Sequence, residues 1–284
     1  MAKELVYLYC VSRKEPNFKD SGLLKQHTKD FGVRVYAISH QGFYAVVSKV
    51  SGDEFSEEKF KKNLANFEWI KKKASIHEKI IEGVMKESGV IPFKFGTIFN
   101  AEDSLKAMLD KHAQDFKVNL KNLEGKEEWG VKIYCDIKRL KAAVIKEEDG
   151  ILKIDEEINS SSSGKAYFLE KKKEELIKDA ASRKINKYGE ACFEILKGLS
   201  IEARINKLLP KEVTEREDDM VLNSAFLVDK TKVEEFIEAT DNLRIKYNGE
   251  GFSFDCTGPW PPYNFCQRRL PAAQAGMNTN KKQR

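Results

Sequence analysis

The sequence predicts an α+β protein of two domains, and three observations carry that expectation. The chain has 284 residues, about twice the commonest size of a single domain. Short runs rich in β-branched and aromatic residues alternate with longer stretches whose apolar residues step by threes and fours. In the second half they follow one another as strand, long helix, strand, helix, strand, which suits an antiparallel sheet covered on one face. With 41% hydrophobic and 33% charged side chains, the chain has enough apolar surface for packed cores, which excludes wholesale disorder.

The first domain is expected over residues 1–124, as a small mixed sheet with helices. Leu5-Val6-Tyr7-Leu8-Tyr9-Cys10-Val11 reads as a strand, and residues 33–38 and 43–47 give two more. Between the last two, Ser39-His40-Gln41-Gly42 is a hairpin turn in which Gly42 can take positive φ. Ser56 is the expected N-cap of a covering helix, with Glu57 and Glu58 placed against its positive end. Phe60, Leu64, Phe67, Ile70, Ala74, His77, Ile81 and Val84 keep the helical step, predicting one helix of about thirty residues that stops before Gly89. A second helix is expected from Asp103 or Ser104 toward Leu123, with Gly125 at the boundary.

The second domain, residues 125–266, opens on the alternating strand Trp129–Ile137. Charged helical stretches lead to a flexible joint or helix-capping loop at Ser160–Gly164. Residues 166–208 have helix-forming composition, with Gly189 and Gly198 as weak points and Pro210 as a stop. Met220–Val228 is a strand and Lys232–Leu243 a helix with Val233, Phe236 and Ile237 on one face. Phe252–Cys256 is the last strand. Residues 267–284, basic and nearly free of aliphatic side chains, are expected to be a disordered tail.

Charge and cysteine usage narrow the function. The net charge of +5 lies wholly in that tail, where Arg268, Arg269, Lys281, Lys282 and Arg284 meet no acid. The body is neutral, without the basic excess that phosphate neutralisation recruits, so no nucleic-acid partner is expected. Apolar runs such as Tyr44-Ala45-Val46-Val47 are far too short to cross a bilayer, so no lipid membrane is expected either. Met1-Ala2-Lys3-Glu4 leads straight into an apolar stretch with no small-residue cleavage site, which points to the cytoplasm. Cys10, Cys135, Cys192, Cys256 and Cys266 are odd in number and contain no Cys-x-x-Cys, so they read as reduced thiols rather than a disulfide framework or a zinc ribbon.

Catalytic patterns are missing. His77-Glu78 begins like a helix-borne zinc protease motif, but the second histidine it needs is Ile81. His77 falls instead on the apolar stripe of its helix and reads as a hydrogen-bonded core histidine, while His27, His40 and His112 have no metal-like spacing. No glycine-rich phosphate loop and no Gly-x-Ser-x-Gly elbow occurs. Carboxylates sit beside lysines, as in Lys171-Lys172-Lys173-Glu174-Glu175, the pattern of a solvated helix face. No enzyme activity, metal or cofactor is expected.

Two segments stand apart. In Val90–Phe99, Pro92 forbids continuation of the helix, and Phe93, Phe95 and Ile98 form a stiff apolar stretch in which Gly96 allows close backbone approach. In Gly258-Pro259-Trp260-Pro261-Pro262-Tyr263-Asn264-Phe265, three prolines in four positions exclude an interior strand. That octet either clamps back across the domains or presents its aromatics to a partner.

The octet at 258–265 resembles the C-terminal signature of the gas vesicle accessory proteins GvpF and GvpL. His77-Glu78 with Pro92-Phe93-Lys94-Phe95-Gly96-Thr97-Ile98-Phe99 is similar to that family's second signature, with Lys94 in place of an arginine. The similarity spans residues 5–265, including Ala166-Tyr167-Phe168-Leu169 and Asn223–Val228. The resemblance implies a ferredoxin-like second domain with long helices. It also implies a non-enzymatic structural or assembly role in gas vesicles, contacting the small hydrophobic shell protein GvpA and other gas vesicle accessory proteins. Pro259, Trp260, Pro261, Pro262, Tyr263 and Phe265, with Phe93 and Phe95, are the candidate contacts. The rival readings are a nucleic-acid-binding ferredoxin-like module, which would stack bases on exposed sheet aromatics, and an enzyme whose groups converge only in space.

Overall fold

The computed structural model describes residues 3–18 and 34–266; Val33 and the tail 267–284 lie outside the described residues. The chain separates into two compact units, one running to Glu127 and joined by the segment from Trp260 onward, the other running from Glu128 to Pro259. The α+β architecture is as the sequence predicts, with one sheet in each unit.

The first unit is built on β1 (Glu4–Ser12), β2 (Val35–His40) and β3 (Phe43–Ser51). Next come three helices, α1 (Gly52–Phe55), α2 (Glu57–Asn63) and α3 (Phe67–Met85). Short strands β4 (Val90–Pro92) and β5 (Ile98–Phe99) precede α4 (Glu102–Lys111) and α5 (Ala113–Leu123). The sheet order is β2-β3-β1-β4, with β5 also on β1. Its described pairings are all antiparallel rather than mixed, because the hairpin and each return connection reverse the chain. At the β2–β3 turn Gln41 and Gly42 have φ of 49° and 85°, the pair of positive angles that a two-residue type I′ hairpin requires.

Two expected helices are broken. The stretch from Ser56 to Val84 divides at Leu64–Asn66, where the Asn66 side chain accepts from the Trp69 amide at 3.1 Å and starts α3 afresh. Ser56 precedes α2 but makes no side-chain cap. The stretch toward Leu123 divides at His112. β1 is buried at every position after Glu4 because apolar residues line both of its faces. Tyr7 and Tyr9 pack in one cluster with Ile80, Ile81 and Val84 of α3, and Phe116 of α5 lies against Phe43 and Phe93.

The second unit holds β6 (Lys126–Cys135), α6 (Ile137–Glu147), α7 (Asp149–Asn159) and α8 (Ser163–Gly198). It continues with β7 (Glu202–Ile205), α9 (Lys211–Thr214), β8 (Asp219–Asp229), α10 (Val233–Asn248) and β9 (Phe252–Trp260). The sheet order is β7-β8-β6-β9, which is the order of a β-α-β-β-α-β ferredoxin-like unit. The expected helix over 166–208 is corrected here. It ends at Gly198, and residues 202–205 form a strand paired with β8. Glycine at the helix end and the alternation Ile201, Ala203, Ile205 account for the change of period. Pro259 is tolerated inside β9 because β9 is an edge strand. A Cβ on Gly258 would lie 2.8 Å from the Trp129 ring, so only glycine lets the chain pass there. None of the five cysteines is in a disulfide, and Cys10, Cys135 and Cys192 are buried.

Candidate functional site

The two segments that stand apart in the sequence meet in the first unit, around α3. Pro92 closes β4, and the loop after it is anchored to β1 on both sides. The Phe93 amide donates to the Tyr9 carbonyl at 2.9 Å, and the Leu8 amide donates to the Thr97 carbonyl at 2.9 Å. Gly96 turns the loop with φ of 82°, and a Cβ there would lie 2.3 Å from the Phe60 ring. Both the angle and the clearance demand glycine.

His77 lies beneath this loop with 1% of its surface exposed. Its Nε2 is 2.9 Å from the Phe93 carbonyl oxygen and its Nδ1 is 2.9 Å from the Tyr7 hydroxyl. A carbonyl can only accept, so Nε2 carries the proton and Nδ1 accepts from Tyr7. The Tyr7 oxygen in turn accepts from the Gly96 amide at 2.9 Å. Burial lowers the His77 pKa to about 4, against the opposing pull of the Phe93 carbonyl, so the imidazole is neutral near pH 7. Burial raises the Tyr7 phenol well above its ordinary value.

The C-terminal segment completes the network. The Tyr263 hydroxyl donates to Glu78 Oε1 at 2.9 Å and lies 3.2 Å from His77 Nε2. Burial, followed by the Glu78 charge, drives the Tyr263 pKa far upward. Burial also raises the Glu78 carboxyl, while the Tyr263 bond works against that rise. Phe95 sits over the node, 5.9 Å from His77 and 6.1 Å from Trp69 between ring centres. Trp69 Nε1 donates to Glu54 at 2.7 Å, and Lys73 pairs with the same carboxylate at 2.8 Å.

This geometry fastens the two segments to α3. Both nitrogens of His77 are engaged, and the cavity beside it measures about 20 Å³, room for little more than one water. Among the described residues, no group of three or more His, Cys, Asp and Glu side chains could hold a metal. A depression of about 550 Å³ near β1 and α2, lined by Lys3, Asp53, Ser56, Glu57 and Asn100 among others, contains no histidine or cysteine. No described helix is long and apolar enough to cross a membrane. In the second unit Tyr134 is buried, with the Arg216 guanidinium 4.2 Å from its ring centre, so it offers no open face for a base.

The eight sequence candidates separate by burial. Phe93, Pro261, Pro262 and Phe265 are in the interior, and Phe95 is half-buried in the aromatic cluster. Pro259 is exposed, and Trp260 and Tyr263 keep 43% and 36% of their surfaces exposed. The octet therefore both clamps and displays: Tyr263, Pro261, Pro262 and Phe265 hold it, and Trp260 stands out. Sequence reasoning missed other exposed aromatics. Phe67 counts in the apolar stripe, but the helix break leaves it outside, and Tyr167 with Phe168 is exposed on the first turns of α8. The signal for the latter is two adjacent aromatics on a helix, which cannot both face one core.

The model of the family described as "Gas vesicle synthesis protein GvpL/GvpF" matches residues 5–267. Gas vesicle protein L of a Streptomyces strain is 23% identical over 262 residues, covering 92% of this chain and 92% of the relative. Gas vesicle protein L1 of Halobacterium salinarum is 24% identical over 265 residues, covering 91% and 89%. In fold, the chain is similar to the crystal structure of gas vesicle protein GvpF from Anabaena, with a TM-score of 0.67 at 18% identity and coverage of 93% and 98%. GvpF from Microcystis aeruginosa gives a TM-score of 0.61, also at 18% identity. The signatures at 77–99 and 258–265, the two sheets and the family match across both units agree: this chain belongs to the GvpL/GvpF family of gas vesicle synthesis proteins.

Proposed function

We propose that this protein is a non-enzymatic assembly factor that contacts the small hydrophobic shell protein GvpA during gas vesicle formation. The single observation that carries the reading is Trp260, exposed on a segment that prolines stiffen and that the buried Pro261, Pro262 and Phe265 anchor. An aromatic held in place loses little entropy on docking and offers a large apolar surface. Shell subunits with apolar faces and open strand edges aggregate unless guarded, and a rigid aromatic platform on a water-soluble carrier is one physical answer. The contact residues are Pro259, Trp260 and Tyr263, with Phe95 as a further candidate, and Pro261, Pro262, Phe265 and Phe93 are buried. The protein works in the cytoplasm at the forming vesicle, alongside other accessory proteins of that system.

The test is co-purification with co-expressed shell protein at low and high salt, comparing wild type with Trp260→Ala. The variant's folding is checked by circular dichroism. Binding that resists salt and falls at least about tenfold in the folded variant supports an apolar interface worth at least 1.4 kcal/mol. Binding that the variant retains would sink the assignment of the octet while leaving the family role intact.

A further inference from the structure

Among the described residues, strand β7 is an edge of the second unit's sheet, since it pairs there with β8 alone in the order β7-β8-β6-β9. Its register sets Glu202 opposite Leu227, Ala203 opposite Phe226, Arg204 opposite Ala225 and Ile205 opposite Ser224. The Asn206 amide continues that register by donating to the Asn223 carbonyl at 2.7 Å. Hydrogen-bonded positions alternate along an antiparallel ladder. Residues 202, 204 and 206 therefore turn their main-chain groups toward β8, and Ala203 and Ile205 turn theirs outward. The side chains flanking this edge are apolar: Ile201 is 59% exposed and Ile205 63%.

The sequence of this edge is self-complementary. Ile201-Glu202-Ala203-Arg204-Ile205 has Ala203 at its centre, isoleucine at both ends, and opposite charges on the two sides of the centre. We propose that β7 is a homodimerisation edge at which a second copy of this chain pairs antiparallel about Ala203, extending the sheet across a two-fold axis. In that register the two Ala203 residues exchange N–H···O=C bonds. Glu202 of each copy faces Arg204 of the other; beyond them Ile205 approaches the other copy's Ile201, whose own amide stays bonded to the Leu227 carbonyl at 2.7 Å. A two-fold interface must bring a patch onto itself, and this five-residue pattern does so with opposite charges opposed and apolar side chains matched. A parallel pairing would oppose Glu202 to Glu202 and Arg204 to Arg204. An open edge with exposed isoleucines is otherwise an aggregation hazard, and a defined two-fold partner removes it. Within the monomer Arg204 reaches Glu202 at 2.6 Å, so both charges stand on the same strand.

A short edge contact is a weak interface, so the measurement is sedimentation equilibrium of the full chain from micromolar to millimolar concentration. A reversible species of twice 32.5 kDa is expected. Ala203→Pro removes the central donor while leaving the bonds to β8, and should abolish the dimer without unfolding the protein. Arg204→Glu and Glu202→Arg each oppose like charges, and should weaken self-association at least about tenfold, 1.4 kcal/mol. Mixed together, these two single variants should form a heterodimer, because each then meets its complement. A wild type that stays monomeric over the whole range overturns the proposal, as does a dimer insensitive to Ala203→Pro or charge variants that fail to pair on mixing. If wild type is monomeric but the edge captures an extended segment of the shell protein, the occupant is a foreign strand and the proposal is likewise overturned.

Discussion

The two units share one strand order. Numbering the four principal strands within each unit, both sheets read second, third, first, fourth, yet their interiors are organised differently. The first unit places an imidazole, two tyrosine hydroxyls and a carbonyl oxygen in a single buried node. The second gathers Phe226, Phe236, Leu196 and Val144 into an apolar core, and keeps its main polar cluster, Lys184 with Glu147, Glu250 and Tyr188, toward the surface. An apolar core stabilises without directing anything, whereas a satisfied polar network accepts one arrangement of its members. The unit that receives the C-terminal segment is the one with the polar node. The unit that must only fold and carry a long helix does without it.

The largest expected effect tests whether the apolar core belongs to the second unit alone. Phe226 is fully buried, 5.3 Å from Phe236 and 5.7 Å from Phe193 between ring centres. Phe226→Ala should lower stability by about 3–5 kcal/mol through lost transfer energy and the cavity left behind. Hydrogen exchange separates the units: β8 amides should lose that much protection while β1 amides keep theirs. Equal losses in both strands would mean that the units unfold together, and the contrast drawn above would fail.

Acidification probes the polar node. His77 titrates near 6.5 in the unfolded chain and about 4 in the fold. Between those values the unfolded state binds the extra proton, so stability is fully present above pH 6.5 and falls as pH drops toward 4. The loss amounts to about 3 kcal/mol. The other groups facing the imidazole are the Tyr7 and Tyr263 phenols, which stay neutral in this range, and Tyr9, raised to about 12. Glu78 on the same helix has a raised pKa and so works in the opposite sense, offsetting part of the loss near the acidic end. β1 protection should therefore drop between pH 7 and pH 4 by more than β8 protection does, and His77→Phe should erase the difference. Parallel loss in both units, or a difference that survives the substitution, would locate the acid sensitivity elsewhere.

Much of the scaffold is legible from local chemistry. The β2–β3 hairpin follows from Gly42 between two strand-like runs, and the special character of residues 258–265 follows from proline's fixed φ. His77 is readable as a core histidine because it shares a stripe with Ile81 and Val84. What escapes the sequence is set by long-range placement. Tyr7 is 70 residues from His77, and Tyr263 is 185 from Glu78, so neither bond leaves a mark in any window of residues. β7 escapes for another reason: alanine, glutamate and arginine are good helix formers, and four residues against a neighbouring strand outweigh that propensity. The break at Leu64–Asn66 is signalled only by one asparagine, whose capping power depends on where the chain turns.

The smallest expected effect concerns what holds the C-terminal segment. Tyr263→Phe keeps the ring and removes the hydroxyl that donates to Glu78 and approaches His77. A single hydrogen bond of this kind contributes about 1 kcal/mol net, and the half-exposed Glu78 can turn to water once freed. Pro261, Pro262 and Phe265 remain buried whether or not the hydroxyl is present, so the segment should stay docked and Trp260 should stay displayed. The expected result is a drop of about 1 kcal/mol in β1 protection with shell-protein binding unchanged. A much larger loss, with binding lost too, would show that the hydroxyl rather than the buried prolines and phenylalanine is the fastening. The polar node would then be the latch of the binding segment itself and not merely the organiser of the unit beneath it.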